Sequence, residues 1–275
     1  LGALAGFEAG RKLRFRSSTN LEDTEQFIGA GLYDSYSGCL ADDLDGLGLL
    51  TPGTLLVHCV WADERDSTHA ARFFCQHGVG CIVTVGGDGT NRAVAKGCED
   101  IPLVAISTGT NNVFPNMVES TVAGLAAGLI VRDLVDVGAA SYRAKKLEVA
   151  VDGELRDLAL VDVAASSDLF IGSRALWDPA RIREIVLAQA EPFHLGMSSI
   201  GGSLQTVGPH DPWGMHLRLG EGGVRVLAPV SPGLVIPVPI REHRLFALGE
   251  EVALEPAACT IAVDGERQIE VRPDQ

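Results

Sequence analysis

The 275-residue sequence predicts an α/β fold in which a parallel, helix-flanked domain is followed by a mostly antiparallel, β-rich one. Three observations predict it. Apolar runs at 54–60, 81–85 and 101–106 alternate with helical stretches, the pattern of β-α units and hence of parallel strands. Polar, glycine-bearing loops follow the ends of the last two of these runs. After about Ser141 the chain changes to short alternating segments separated by turn residues.

In chain order, 54–60 reads as a strand, 63–77 as a helix and 81–85 as a strand that runs into Gly86-Gly87-Asp88-Gly89-Thr90. A helix at 91–97 and a strand at 101–106 follow, then the polar loop 107–112, Pro115 and a helix from about 119 to 131. Both polar loops thus lie at strand C-termini, where open α/β sheets bind ligands. In the second half, 146–151 and 155–164 flank Asp152-Gly153, a pair suited to a hairpin turn with positive φ. Residues 179–190 read as a helix, and 215–219, 224–227, 234–238, 252–254 and 260–263 as strands. The four prolines from Pro229 to Pro239 indicate loop and edge strand. The resulting division is an atypical segment at 1–53, an α/β domain at 54–140 and a β-rich domain at 141–275.

Composition narrows the function classes. With 46% hydrophobic and 21% charged residues, the chain has the makeup of a globular protein with two cores. A net charge of −14 disfavours binding to nucleic acid or to an anionic membrane, both of which need clustered Lys and Arg. The apolar stretch 121–131 is about half of the roughly 20 residues that span a bilayer. Six cysteines without a CxxC pair read as reduced thiols, which implies a cytoplasmic protein. No basic segment followed by an apolar one marks a secretory signal, and a start at Leu1 reads as a fragment boundary. The seven histidines form no HExxH or HxH pair and no carboxylates have metal-ligand spacing, so no protein-held metal site is expected.

The chemistry concentrates in Ile82-Val83-Thr84-Val85-Gly86-Gly87-Asp88-Gly89-Thr90-Asn91, where an apolar strand ends in three glycines around one carboxylate and one hydroxyl. Such a loop suits a polyphosphate: glycines admit the ligand close to the backbone, and amides at a helix N-terminus face anionic oxygens. Asp88 can then bind Mg²⁺ or accept a hydroxyl proton. Read plainly, the same string is a tight strand-to-helix turn with Asp88 as the helix N-cap.

The whole string GGDGT after an apolar strand resembles the signature shared by NAD kinases, diacylglycerol kinases and sphingosine kinases; it is not a Walker A loop. Ile106-Ser107-Thr108-Gly109-Thr110-Asn111-Asn112-Val113-Phe114 resembles the NAD-kinase loop more than its lipid-kinase counterpart. Leu158-Ala159-Leu160-Val161-Asp162-Val163 and Ala262-Val263-Asp264-Gly265-Glu266 resemble two later NAD-kinase elements. Within that superfamily, STGTNNVFPNM, TVAGLAAGL, LALVDVAASSDLFIGSRALW and GMSSIGG are similar to the acetoin-catabolism X family, over about 66–271.

The resemblance implies an NAD-kinase-like fold with nucleotide bound between the two domains, ATP as phosphoryl donor and Mg²⁺ shared with its phosphates. It makes Gly86, Gly87, Gly89, Thr90 and Asn91 phosphate contacts and Asp88 the group that activates the acceptor hydroxyl or organises Mg²⁺. Thr108, Gly109, Thr110, Asn111 and Asn112, together with Asp162, line the pocket of the acceptor, NAD or a related nucleotide; read plainly, 108–112 is a capped loop. Val161 stands where the family has asparagine before Asp162, a departure that weighs against NAD as acceptor. Lys96, Arg92 and Lys145 are the candidate cations, and Asp264-Gly265 reads equally well as a plain hairpin turn. Such relatives are commonly oligomeric, which implies a homo-oligomer.

The first forty residues differ in character. RKLRFRSSTNLEDTEQFIGAGLYDSYSGCL, residues 11–40, resembles the nucleotide-binding segment of pyruvate-phosphate dikinase and phosphoenolpyruvate synthase, which maps ATP contacts onto Arg16, Ser17, Ser18, Glu22 and Asp23. The first strand and loop of the NAD-kinase pattern are not recognised, and the chain stops soon after Asp264-Gly265. Three functions follow in order of support: an ATP-dependent kinase of NAD or a related nucleotide, a nucleotide-binding accessory protein of acetoin catabolism, and a lipid kinase.

Overall fold

A computed structural model of the chain describes residues 12–16, 23–24, 27–28, 35–39, 61–167, 179–255 and 257–272. The strand expected at 54–60 lies outside the described residues, as do Ser17, Ser18 and Glu22. Within the N-terminal segment, β1 (Lys12–Arg16) pairs antiparallel with β4 (Ser35–Cys39), and β2 (Asp23–Thr24) with β3 (Phe27–Ile28).

Helix α1 (Glu64–Gln76) begins where Asp63 accepts the Arg65 N–H, and Glu64 and Asp66 add negative charge at the positive end of the helix. It lies against α2 (Asp88–Ala95): Thr68 Oγ1 donates to the Ala93 carbonyl at 2.7 Å, and Cys75 Sγ to that of Gly97 at 3.2 Å. Gly97 is required by that approach, because a Cβ there would stand 2.5 Å from the Thr68 carbonyl oxygen. Ala71, Ile82, Val94 and Cys98 form the small core beneath the two helices.

Strands β5 (Ile82–Gly86) and β6 (Leu103–Ser107) pair in parallel, in register from Ile82 opposite Leu103 to Gly86 opposite Ser107. Parallel pairing ends both strands at one edge, so the loops that follow them start side by side. After β6, α3 (Ser120–Val131) is capped by Glu119, which accepts the Thr121 and Val122 N–H groups, and the short α4 (Val137–Ala140) leads out of this half.

The second half opens with the hairpin of β7 (Leu147–Val151) and β8 (Glu154–Ala159), turned by Asp152 and Gly153 at φ 55° and 76°. Strands β9 (Asp162–Ser166), β10 (Ile182–Leu187), β11 (Trp213–Ser231), β12 (Leu234–Ala247), β13 (Cys259–Val263) and β14 (Glu266–Val271) form one sheet, in the order β12-β11-β10-β9-β13-β14. Every neighbouring pair in it is antiparallel. One face packs Ile185, Leu187, Met215, Leu217, Val238 and Ile240 beneath α5 (Met197–Gly202); the other carries Val163, Val186, Phe246, Ile261 and Val263.

The expected α/β half followed by an antiparallel half is present, with local corrections. Residues 179–190 are not a helix: a single 3₁₀ turn at Pro179–Arg181 leads into β10, between β9 and β11. Ile182, Ile185, Val186 and Leu187 bury both faces of this strand, and a run apolar on both faces carries no alternation to separate it from a helix. Residues 252–254 form no strand; Val252 and Leu254 pack on the core from a loop. The single strand read at 155–164 breaks at Leu160-Val161, and the two read at 215–219 and 224–227 are one strand with a register shift between them. Helix α5 has a glycine-rich sequence of weak propensity, and it forms because Met197 and Ile200 are buried while Ser199 Oγ donates to the Pro229 carbonyl at 3.1 Å. Among the described residues, Cys75, Cys81, Cys98 and Cys259 carry free thiols, and no helix is long and apolar enough to cross a membrane.

Gly97→Ala forces α1 away from α2, and it is expected to lower stability by about 1–3 kcal/mol, read as a shifted urea midpoint with an unchanged slope.

Candidate functional site

The loop that ends β5 is shaped by close contacts at two of its glycines. A Cβ on Gly86 would stand 2.5 Å from Thr90 Oγ1, and one on Gly87 2.7 Å from Asn112 Oδ1, whereas Gly89 has nothing within 4 Å. Gly87, rather than Asp88, is the N-cap of α2, and no side chain caps it. The N–H groups of Asp88, Gly89 and Thr90 therefore have no partner within the helix, and they lie beside the open face of Gly89. Asn91 is fully buried: its Oδ1 accepts from Thr84 Oγ1 at 2.6 Å and its Nδ2 donates to the Gly87 carbonyl at 2.8 Å. Its side chain braces the loop from beneath rather than facing a ligand.

Asp88 joins the two strand-end loops. Its carboxylate accepts the Val113 N–H at 3.1 Å and the Phe114 N–H at 2.8 Å. Within the second loop, Ser107 Oγ donates to the Gly109 carbonyl at 2.7 Å and Asn112 Nδ2 donates to Ser107 Oγ at 2.8 Å. Asn112 thus holds its own loop in shape, while Thr108, Thr110 and Asn111 are exposed.

The second half brings two more carboxylates to this point. Asp162 opens β9 and is buried. Asp264 sits in the β13–β14 turn at φ 49°, with Gly265 at 78°. Its carboxylate accepts the N–H groups of Leu160, Val161 and Asp162 at 3.0, 2.8 and 3.3 Å, so it shapes the turn before β9. The sequence leaves Asp264 open between a NAD-kinase-like element and a plain turn. The pair Asp264-Gly265 reads like Asp152-Gly153, and only burial distinguishes a carboxylate that caps a distant turn from one at a hairpin tip.

Asp88, Asp162 and Asp264 stand within electrostatic reach of one another. Burial pushes the Asp162 carboxyl well above the usual range, and Asp264 and Asp88 push it further, so its protonated form is favoured. Burial also raises Asp264, to about 6, against the pull of the Val161 and Leu160 amides. Asp88 is raised by burial and drawn down by the Phe114 and Val113 amides and by His194. His194, from the loop after β10, is lowered by burial against the charges of Glu191 and Asp88. Nothing in its sequence surroundings marked it.

The three candidate cations are committed elsewhere. Arg92, 1% exposed, donates to Asp157 Oδ2 at 3.0 Å and to Glu64 Oε2 at 3.2 Å, and its Nε lies 3.9 Å from Asp264 Oδ2. Lys96 pairs with Asp157 at 2.8 Å, and Lys145 Nζ donates to the carbonyls of Gly208 and Trp213. Their reading as phosphate ligands is corrected by that geometry: an acidic chain uses them to pair carboxylates or satisfy carbonyls. Among the described residues, the buried side-chain atoms without a hydrogen-bond partner are Arg92 Nε, Asp162 Oδ1 and His194 Nδ1. No group of three or more His, Cys, Asp or Glu side chains among them has the geometry to hold a metal ion.

A pH dependence follows from Asp264. Its folded pKa of about 6 lies above its ordinary value of 3.8, so the folded chain holds a proton there that the unfolded chain releases. This contribution is fully present below about pH 4 and is lost as the pH rises through about 6. Asp264→Asn removes it, so the parent is expected to lose on the order of 2 kcal/mol relative to the variant between pH 4 and pH 7. Urea midpoints of both proteins across that range check the sign; a difference that stays constant or moves the other way contradicts it.

Residues 20–134 match the ATP-NAD kinase N-terminal domain, and residues 145–275 match the C-terminal domain of acetoin catabolism protein X. The chain is similar to the acetoin catabolism protein X of Cupriavidus necator, at 37% identity over 222 residues that cover 78% of this chain. The match covers 62% of that relative's length, a little under two thirds. The chain is thus similar in its first half to an ATP-NAD kinase N-terminal domain and in its second half to the C-terminal domain of acetoin catabolism protein X.

Proposed function

We propose that the chain binds ATP at the Gly86–Thr90 loop and transfers its γ-phosphoryl group to a hydroxyl of NAD or a related nucleotide. The observation that carries this reading is the convergence of three segments distant in sequence, 86–90, 107–114 and 160–162, upon Asp88. The uncapped start of α2 and the open face of Gly89 suit phosphate oxygens. Exposed Thr108, Thr110 and Asn111 offer hydroxyls and a carboxamide to ribose and base edges. Mg²⁺ in this proposal arrives on the phosphates and neutralises their charge, since the nearby cations are held by carboxylates or carbonyls. Asp88 takes the acceptor's proton, and burial, which raises its affinity for protons, suits it to that task. In-line transfer then depends mainly on positioning.

Two observations favour a second reading, that of a nucleotide-binding accessory protein of acetoin catabolism. Asp88 already accepts two backbone amides, and Val161 is buried where a carboxamide would face the acceptor in the related pattern. Such a protein binds the nucleotide without transferring phosphate.

Mg-ATP-dependent formation of NADP from NAD by the parent, falling by about 100-fold or more in Asp88→Asn, is the expected outcome. Folded parent that binds Mg-ATP but forms no NADP supports the accessory reading instead, and absence of Mg-ATP binding contradicts both.

A further inference from the structure

The three buried side-chain atoms without partners among the described residues all belong to one neighbourhood. Arg92 stands against Asp264, Asp264 and Asp162 face each other and Asp88, and Asp88 faces His194. Of these residues, Arg92 forms ion pairs with side chains from both halves of the chain. It lies in α2, one turn beyond Asp88. From there its guanidinium holds Glu64 of α1 at 3.2 Å and Asp157 of β8 at 3.0 Å, and it meets Asp264 of the β13–β14 turn at 3.9 Å.

Each contact has a consequence for the site. Glu64 ties α2 to the helix that packs on it, so α2 and its first turn move with the α/β half. Asp157 is also held by Lys96, the C-cap of α2, at 2.8 Å, which clamps β8 to α2 with two cations. Asp264 in turn accepts three amides of the 160–162 turn and so sets where Asp162 begins β9. A buried guanidinium with a planar fork fixes direction as well as charge, which a lysine ammonium at the same place does not.

We propose that Arg92 is a positioning residue: it holds the α2 turn bearing Asp88 in register with the 160–162 turn bearing Asp162, without itself touching substrate. Its effect on phosphoryl transfer rests on the function proposed above; the alignment of the two turns does not.

The test separates these claims. Amide hydrogen exchange is followed by peptide in the parent, Arg92→Lys and Asp157→Asn, the last preserving shape at a position away from the ligand loops. Faster exchange, by tenfold or more, is expected at Val113 and Phe114 and at Leu160 to Asp162, none of which bonds Arg92 directly. In the same variants kcat for NADP formation falls at least tenfold while KM for Mg-ATP changes less than threefold, and Arg92→Lys retains more turnover than Arg92→Met. Exchange that quickens only within α2 and β8 overturns the assignment, since burial alone then accounts for Arg92. A parent that forms no NADP overturns the kinase reading, and the exchange comparison still decides the alignment. Should Arg92→Met fail to fold, Arg92→Lys and Asp157→Asn carry the test.

Discussion

The buried guanidinium of Arg92 is the constraint around which the molecule is arranged. A charge 1% exposed persists only where carboxylates meet it, and here they come from α1, β8 and the β13–β14 turn. The α/β half and the β-rich half are thereby joined through a polar contact. That contact has a direction, because a planar fork accepts partners at set angles. Burial raises the Asp264 carboxyl to about 6, with the Val161 and Leu160 amides and, least, Arg92 pulling it down, while burial and the neighbouring carboxylates drive Asp162 towards its protonated form.

Parallel pairing of β5 and β6 supplies the second constraint. It sets two loops of different sequence at one edge, and Asp88 then links them through the Val113 and Phe114 amides. A carboxylate has about four acceptor sites, so bonding two amides leaves capacity for a hydroxyl proton. Whether Asp88 serves as a base or only as a brace therefore turns on where the acceptor sits. It does not turn on an absence of lone pairs.

Much of the fold was legible in the residues. Glycines, a capping aspartate and apolar alternation act within a few residues, so α1, β5, α3 and the Asp152-Gly153 hairpin stand close to where they were read. Strand β10 was misread because a strand buried on both faces loses the period-2 signal. Helix α5 was missed because burial of Met197 and Ile200, rather than propensity, holds it together. The two polar loops and Asp162 singled out in the sequence come together in the structure. Asp264 carried two readings in the sequence, and His194 and the partners of Arg92 left no local signal, because these groups meet from segments up to about 170 residues apart in the chain.

By itself the sequence determined which loops have the backbone freedom and polar groups to meet a phosphate, since a glycine's latitude and a helix start are local properties. Tertiary structure alone decided what each charged group does. Arg92, Lys96 and Lys145 are cations in any reading of the chain, and their pairing with carboxylates or carbonyls turns them from ligand-binding candidates into struts. Asp264 and Asp152 are the same turn residue in sequence. One is buried against three amides, and the electrostatic cost of ionising a group in that setting sets its pKa and its place in the site.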